Sequence, residues 1–170
     1  SERARLGTAL HAFTERVDRG LDLGPIPIEY APDVVAYQQA ADDAGWRVDD
    51  VERFVVDHEH RIAGTADRVL TIDGRHYIAD VKTGSIDYPA KFAIQLAIYA
   101  ASQPYDVDTG QTGHWPYNID QERGLIIWLP VGAGRCELHW VDLAAGRRGL
   151  DLALLVREWR AVRSLLTPYR

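Results

Sequence analysis

The sequence predicts an α/β fold in a single domain spanning residues 1–170, and three observations support this. A chain of 170 residues has the length of one domain and is long enough to bury a full hydrophobic core. Apolar residues switch between helical and strand spacing in the order α, α, β, β, β, α, β, β, α. No internal repeat or low-complexity tract divides the chain. This order of elements is typical of one α/β unit.

Four segments show helical spacing. The first ends near Gly20, the second runs from Asp33 to Gly45, the third covers Tyr88–Ala101, and the last begins at Asp151. In the first segment the apolar positions are Leu6, Ala9, Leu10, Phe13 and Val17. The residues that the last helix is expected to bury are Leu154, Leu155, Trp159, Val162 and Leu166, with Pro168 marking its end.

Five runs are predicted to be strands. Three of them follow the second helix and cover Val51–Asp57, Ile62–Ile72 and Arg75–Lys82. The other two, Leu125–Pro130 and Arg135–Val141, are joined by a glycine-containing turn and are predicted to form a hairpin. Residues 103–121 between the third helix and this hairpin are predicted to be a long polar loop.

Composition restricts the class of protein. The net charge of −6 argues mildly against a broad DNA-binding surface, because neutralising phosphates drives non-specific affinity. Cys136 is the only cysteine, so this chain can form neither an internal disulfide nor a cysteine-ligated iron–sulfur cluster. No run is apolar enough to span a membrane, and we expect an intracellular, cytoplasmic setting.

One predicted hairpin places two carboxylates face to face. Asp73-Gly74 between two alternating runs favours a two-residue type I′ turn, which pairs Val69 with Ile78 and Asp67 with Asp80. Opposed side chains of an antiparallel pair have Cβ atoms roughly 4.5–5.5 Å apart. Lys82 shares the face of Asp80, because side chains repeat every second residue along a strand.

Opposed carboxylates on a half-buried face repel each other unless a counter-charge lies between them. A divalent cation removes the repulsion, and hard oxygen ligands suit Mg²⁺ or Mn²⁺. The alternative is a solvated hairpin in which Asp80 simply pairs with Lys82. The opposed Asp67 and the inward direction of this face favour the cation.

Four short motifs in this order resemble the RecB-like exonuclease branch of the PD-(D/E)XK nuclease superfamily. They are a G-x-x-x-H element ending at His11, a G-x-x-D element ending at Asp67, the D-x-K element Asp80–Lys82, and a Q-x-x-x-Y element from Gln95 to Tyr99. They span somewhat more than half of the chain. The resemblance implies a restriction-endonuclease-like core with a central mixed β-sheet flanked by helices.

The resemblance also implies roles for these residues. Asp67, Asp80, the backbone carbonyl of Val81 and the ring of His11 would ligate one or two Mg²⁺ or Mn²⁺ ions. Lys82 would orient or activate the attacking water and offset charge on the transition state. Gln95 and Tyr99 would hold Lys82 and the scissile phosphate in place, and their i, i+4 spacing sets both on one helix face.

The implied activity is hydrolysis of DNA phosphodiesters, and the family branch favours an exonuclease over an endonuclease. DNA recombination, repair or end processing in a phage or a bacterium would suit it. No phosphate-loop helicase motif is present, so unwinding would come from a recombination or helicase partner protein. A different class of function stays open, namely a non-catalytic module that binds DNA or a partner and keeps the nuclease fold.

Three further residues are candidates for DNA contact. Trp115 and Tyr117 in the long loop would stack on bases near the metal site, since this loop follows the helix of Gln95. They are equally suited to fixing the loop to the core. Lys91, with Arg61, Arg68 and Arg75, is a candidate phosphate contact, although scattered basic residues are usually solvated surface.

Overall fold

The computed structural model describes residues 2–169. Its helices are α1 (Glu2–Asp18), α2 (Ala31–Ala44), α3 (Ala90–Ala101) and α4 (Leu143–Ala161). Its strands are β1 (Arg47–Asp57), β2 (Ile62–Ile72), β3 (Arg75–Lys82), β4 (Gln103–Asp106), β5 (Gln111–Thr112), β6 (Arg123–Trp128) and β7 (Glu137–Asp142). None of the helices in this part of the chain is long and apolar enough to cross a membrane.

The seven strands form one mixed sheet in the order β5-β4-β1-β2-β3-β6-β7. All neighbouring pairs are antiparallel except β3 and β6, which run parallel. The parallel pair is possible because α3 lies between these strands in sequence and carries the chain back across the sheet. The predicted α/β fold with a central mixed sheet and flanking helices is confirmed.

The sheet is covered on both faces. One core cluster packs α1 and α2 against the sheet, and its members are Leu10, Tyr30, Val34, Tyr37, Leu70, Ala79, Val81, Leu125, Ile127 and Leu129. The other packs α3 and the start of α4 on the opposite face, with Ala66, Val69, Ile78, Phe92, Leu96, Ala97, Ala100, Ile119, Ile126 and Leu143. Cover on both faces explains why the consecutive residues Tyr77–Val81 of β3 are all buried.

The segment 103–121 is not the featureless loop that we expected. Its first residues form β4, which pairs with Val55 and Val56 at the edge of β1, and β5 pairs with β4. Four-residue and two-residue strands are too short to show an alternating pattern. Backbone pairing with β1 holds them in place.

The last helix begins eight residues earlier than predicted, at Leu143. The side chain of Asp142 caps it by accepting a hydrogen bond from the amide of Ala145 at 2.9 Å. Gly146 resembles a helix breaker in sequence, but it lies where α4 crosses α3. A Cβ there would lie 2.1 Å from the carbonyl oxygen of Ala93, so only glycine permits this crossing.

The burial predicted for the second half of this helix is wrong. Leu155 and Trp159 are 60% and 64% exposed, and Leu166 lies beyond the end of the helix. Val162 is also exposed and Leu154 is only partly buried. The buried residues of α4 are Leu143, Gly146 and Leu150, all in its first half. The apolar stripe of the second half therefore faces away from the core.

Candidate active site

The β2–β3 hairpin has the predicted turn and register. Asp73 and Gly74 both have positive φ, 49° and 75°, as a type I′ turn requires. Val69 pairs with Ile78, and the ladder ends at the pair formed by Arg68 and Ala79. Asp67 and Asp80 are therefore the first residues beyond the ladder, where the same register sets them opposite each other.

Asp80 is a buried carboxylate with an incomplete set of partners. Its side chain is 2% exposed, and its Oδ2 atom lies 2.5 Å from Nζ of Lys82. The angles of this contact do not form a hydrogen bond, so Oδ2 has an ionic neighbour but no hydrogen bond. Burial and repulsion by Asp67 raise the pKa of Asp80 to about 6, although Lys82 acts in the opposite direction.

Asp67 is oriented by the neighbouring strand. Its Oδ2 atom accepts a hydrogen bond from the amide of Val81 at 3.1 Å. The N–H and C=O groups of one residue in an extended strand point to the same side, so the carbonyl of Val81 is also directed toward the Asp67 side. The Val81 side chain is fully buried on the α1–α2 face, which leaves its backbone as the part that can take part in a site.

His11 approaches the carboxylates from α1. Burial lowers the pKa of His11, and the charges of Arg68 and Lys82 add to this effect against the attraction of Asp67. The lowered pKa keeps the imidazole neutral, which is the form that ligates metals. Helix α1 comes close to the end of β3, because a Cβ built on Gly7 would lie 2.7 Å from Oγ1 of Thr83.

Gln95 and Tyr99 lie on the face of α3 that is turned to the hairpin. Nζ of Lys82 donates to Oε1 of Gln95 at 3.5 Å, and Nε2 of Gln95 donates to the Tyr99 hydroxyl at 3.4 Å. A Cβ on Gly64 would lie 2.5 Å from the Tyr99 hydroxyl and 2.7 Å from its ring. The glycine of the G-x-x-D motif therefore makes room for the tyrosine of the Q-x-x-x-Y motif.

Two residues near this group were missed at the sequence level. Phe92, one turn before Gln95, has its ring centroid 5.0 Å from Nζ of Lys82. Glu52 lies in a left-handed backbone conformation with φ 51° between the paired residues Val51 and Arg53. Burial and the nearby charge of Asp67 raise the pKa of Glu52. The i, i+3 spacing of Phe92 and Gln95 could have revealed the first, but no sequence signal locates the positive φ of Glu52.

The expectation that the loop with Trp115 and Tyr117 emerges near the metal site is wrong for Tyr117. Tyr117 stacks on His76, with ring centroids 4.2 Å apart, close to the hairpin turn. His76 lies four positions before Asp80 on β3, a distance of about 13 Å along a strand. Trp115 donates from Nε1 to the carbonyl of Ser102 at 3.0 Å and packs against the α3 core. Both rings thus fix the loop to the domain.

The basic candidates separate into two groups. Lys91 is exposed at the start of α3, and its Nζ lies 4.9 Å from the ring centroid of Phe92, the same ring that Lys82 contacts. Arg61 and Arg75 are exposed. Arg68 is not solvated surface, because its side chain is 0% exposed and its guanidinium is held by protein groups.

The chemistry of these side chains fits a divalent cation. Asp67 and Asp80 offer hard oxygen ligands, and Oδ2 of the buried Asp80 has an ionic contact with Lys82 but no hydrogen bond. Across residues 2–169, no three or more His, Cys, Asp or Glu side chains lie close enough together to form a cage that could hold a metal ion, so His11 is not gathered with Asp67 and Asp80 into a three-ligand set. Mg²⁺ needs no such cage, since it usually keeps several waters and is bound through one or two carboxylates.

A comparison with protein families agrees with this geometry. A family model described as the PD-(D/E)XK nuclease superfamily matches residues 29–103, a range that includes Asp67, Asp80, Lys82 and both residues of the Q-x-x-x-Y motif. The match supports membership of the PD-(D/E)XK nuclease superfamily. Nucleases of this superfamily generally use divalent metals such as Mg²⁺. His11 lies outside the matched range, and a search of curated proteins finds no match to the chain.

Proposed function

We propose that this domain is a metal-dependent deoxyribonuclease that hydrolyses phosphodiester bonds. The observation that carries the proposal is the buried Asp80, which has an oxygen without a hydrogen bond, beside Lys82 and opposite Asp67. Removing two charges from water is unfavourable, and a protein gains nothing in stability from a repulsive pair. A site for a cation that is required in function explains why the pair is present.

The protein groups have separate tasks in this proposal. Asp67, Asp80, the Val81 carbonyl and His11 would hold one or two Mg²⁺ or Mn²⁺ ions, which supply Lewis acidity and lower the pKa of water. Lys82 orients water or a phosphate oxygen, because three neighbours restrict its ammonium group: Asp80, Gln95 and the Phe92 ring. Tyr99 accepts a hydrogen bond from Gln95, and in this way it helps to position Lys82 indirectly.

A non-catalytic binding module is the second candidate, and the net charge of −6 favours it. The same charge is compatible with a nuclease that engages few phosphates at once, as an enzyme acting on a strand end does. We therefore propose an exonuclease of the RecB-like type in DNA recombination, repair or end processing. A helicase or recombination protein is the expected partner, because the chain has no unwinding motif of its own.

Cleavage of labelled DNA in Mg²⁺ or Mn²⁺ tests the proposal. We expect Asp80→Ala and Lys82→Ala each to reduce the rate by at least about 10²-fold, the usual cost of losing one transition-state contact. Asp49→Asn is the matched control, since Asp49 is also a buried carboxylate contacting this hairpin but lies at its turn end. Substantial cleavage by Asp80→Ala would reject the site. Degradation of linear DNA with survival of closed circles would separate exonuclease from endonuclease action.

A further inference from the structure

Arg68 carries a buried positive charge that the proposed chemistry does not use. Its side chain is 0% exposed, and Nε lies 2.5 Å from Oδ2 of Asp18, which itself is 2% exposed. The hydroxyl of Tyr37 donates to the same Asp18 oxygen at 2.6 Å. Nη1 also lies 3.4 Å from Oε1 of Glu52. An arginine enclosed in this way cannot reach a phosphate, so its role must be exercised inside the protein.

The other nitrogens of Arg68 reach the backbones of two proposed metal ligands. Nη1 donates to the carbonyl oxygen of Asp67 at 2.8 Å. Nη2 donates to Oγ1 of Thr14 at 3.2 Å, and that hydroxyl donates to the carbonyl oxygen of His11 at 2.9 Å. A hydroxyl can accept one hydrogen bond while it donates another, so both contacts of Thr14 form together. One planar guanidinium therefore links the backbones of Asp67 and His11. It bonds to Asp67 directly and to His11 through the hydroxyl of Thr14.

This connection matters because His11 and Asp67 belong to different layers. His11 is on α1, whereas Asp67 is on β2 in the central sheet. Ligands of a metal must be held within about 0.5 Å of their working geometry, and helix packing alone tolerates larger shifts. The fork of arginine has a fixed geometry, and a lysine at this position would have a single ammonium group for the same contacts.

We propose that Arg68 is a positioning residue that fixes the separation between His11 and Asp67 through Thr14. The inference rests on the proposed function, because it concerns two of the ligands named there. Arg68 does not touch substrate or metal. It sets where α1 presents its imidazole, and Asp18 neutralises the charge needed for this task.

Thr14→Val is the decisive variant, since it keeps the shape of the side chain and the Arg68–Asp18 ion pair but removes the hydroxyl link to His11. Thr8→Val is the matched control on the same helix, because Thr8 makes a similar hydroxyl contact with Ala4 but is exposed. Titration calorimetry with Mn²⁺ on the full chain is expected to show affinity about 10-fold weaker for Thr14→Val, in the range found when a residue that orients a metal ligand is lost. Thr8→Val should match the wild type.

A double-mutant comparison distinguishes positioning from general loosening of the fold. In a His11→Ala background, Thr14→Val should no longer change Mn²⁺ affinity, because the ligand that it positions is gone. Arg68→Lys should behave as Thr14→Val does. Asp33→Asn controls for lost stability: Asp33 is fully buried and accepts from the amides of Gly132 and Gly134, away from the site. We expect it to lower the melting temperature while leaving Mn²⁺ affinity unchanged.

The position of His11 can also be measured without metal. The imidazole nitrogen and carbon signals of His11 in NMR spectra of the metal-free protein should move in Thr14→Val and stay in place in Thr8→Val. Unmoved His11 signals in Thr14→Val would overturn the positioning role, whether or not the domain is a nuclease. Failure of the wild type to bind Mn²⁺ or cleave DNA, with the signals moving as expected, would instead reject the proposed function. Unchanged Mn²⁺ affinity in Thr14→Val, with a wild type that binds, would overturn this inference alone.

Discussion

A carboxylate with little exposed surface lies at each end of the β2–β3 hairpin, Asp49 of β1 at the turn end and Asp80 of β3 at the open end. Only the Oδ2 atom of Asp49 is hydrogen-bonded by other side chains. At the turn end, Oδ2 of Asp49 accepts from the hydroxyl of Thr71 at 2.5 Å and lies 2.8 Å from Nδ1 of His76. The Tyr117 ring covers His76. At the open end, Oδ2 of Asp80 has an ionic contact and no hydrogen bond.

The pKa values of the two carboxylates move in opposite directions. Burial raises the pKa of Asp49, but the hydrogen bonds from Thr71 and His76 outweigh it and leave this pKa below its usual range. For Asp80, burial and repulsion by Asp67 prevail and raise the pKa to about 6. The protein thus completes the polar network of Asp49 by itself, whereas Asp80 is the carboxylate for which we propose a cation. Asp49 of β1 and Asp80 of β3 therefore differ in how far the protein alone satisfies them.

The largest expected effect is stabilisation by metal. A ligand that binds only the folded state stabilises it by about 2.7 kcal/mol at 100 times its dissociation constant. We expect Mn²⁺ to raise the melting temperature of the wild type and of Asp49→Asn by similar amounts, and that of Asp80→Asn much less. Thermal unfolding with and without Mn²⁺ measures this. Equal shifts of melting temperature in all three proteins would mean that Asp80 does not bind the metal.

Ca²⁺ should also stabilise the wild type but support little cleavage, because its coordination is looser.

Without metal, the same two substitutions should change stability in opposite directions by roughly 2 kcal/mol each. Asp80→Asn removes a repelling charge from the pair with Asp67, so the free energy of unfolding should rise. Asp49→Asn removes the negative charge and one of the two acceptor oxygens from the network with Thr71 and His76, so the free energy of unfolding should fall. Urea unfolding at pH 7 in the presence of a chelator gives both values. A destabilised Asp80→Asn would mean that Lys82 already neutralises the site.

The pH dependence follows from the raised pKa of Asp80. The pKa of Asp80 is near 3.8 in the unfolded chain and about 6 in the folded protein. At pH values between these two, the folded protein keeps a proton on Asp80 that the unfolded chain has released. Stability therefore falls as pH rises through this window, by roughly 1 kcal/mol between pH 4 and pH 5 for this one group. The lowered pKa of Asp49 acts with the opposite sign, since its stabilisation is lost as pH falls. The difference between wild-type and Asp80→Asn unfolding curves across pH isolates the first effect, and parallel curves would contradict it.

The smallest effect should come from Trp115, at the turn end. Trp115→Phe loses the hydrogen bond to the Ser102 carbonyl and should cost about 1 kcal/mol of stability without changing Mn²⁺ affinity. Trp115→Ala also removes the ring. If the ring stacks on a DNA end, Trp115→Ala should weaken end binding by roughly 1–3 kcal/mol while Trp115→Phe largely retains it. Unchanged binding of DNA ends by Trp115→Ala would mean that Trp115 serves only to pack the loop against the domain.

Local patterns predicted the open end of the hairpin well. The two-residue Asp73-Gly74 turn fixes the register, so the pairing of Val69 with Ile78 followed from the sequence. Features that depend on tertiary contacts could not be predicted in the same way. The buried setting of Arg68 depends on its contacts with Asp18 and Thr14 of α1, and no local pattern encodes them. The positive φ of Glu52 likewise has no signal in the sequence.

For helix α4, the sequence pattern predicted the helix correctly but predicted the wrong surroundings for its apolar side chains. Apolar spacing from Leu152 to Trp159 is the ordinary signature of a helix that packs on its own domain, yet these side chains point outward. Periodicity predicts that a helix has an apolar stripe, but it does not say what the stripe faces. Gly146, which resembles a helix breaker in sequence, is the residue that docks the helix on α3.

The contact between Gly64 and Tyr99 constrains how this sequence can change over time. A side chain at position 64 would occupy the space of the Tyr99 ring, so no residue larger than glycine can be accepted there while the tyrosine remains. Loss of the tyrosine first would open that space and make the second change tolerable. Tyr99 must therefore be replaced by a smaller residue before Gly64 can be replaced by a larger one. Among relatives, a larger residue at position 64 should occur together with a small residue at position 99.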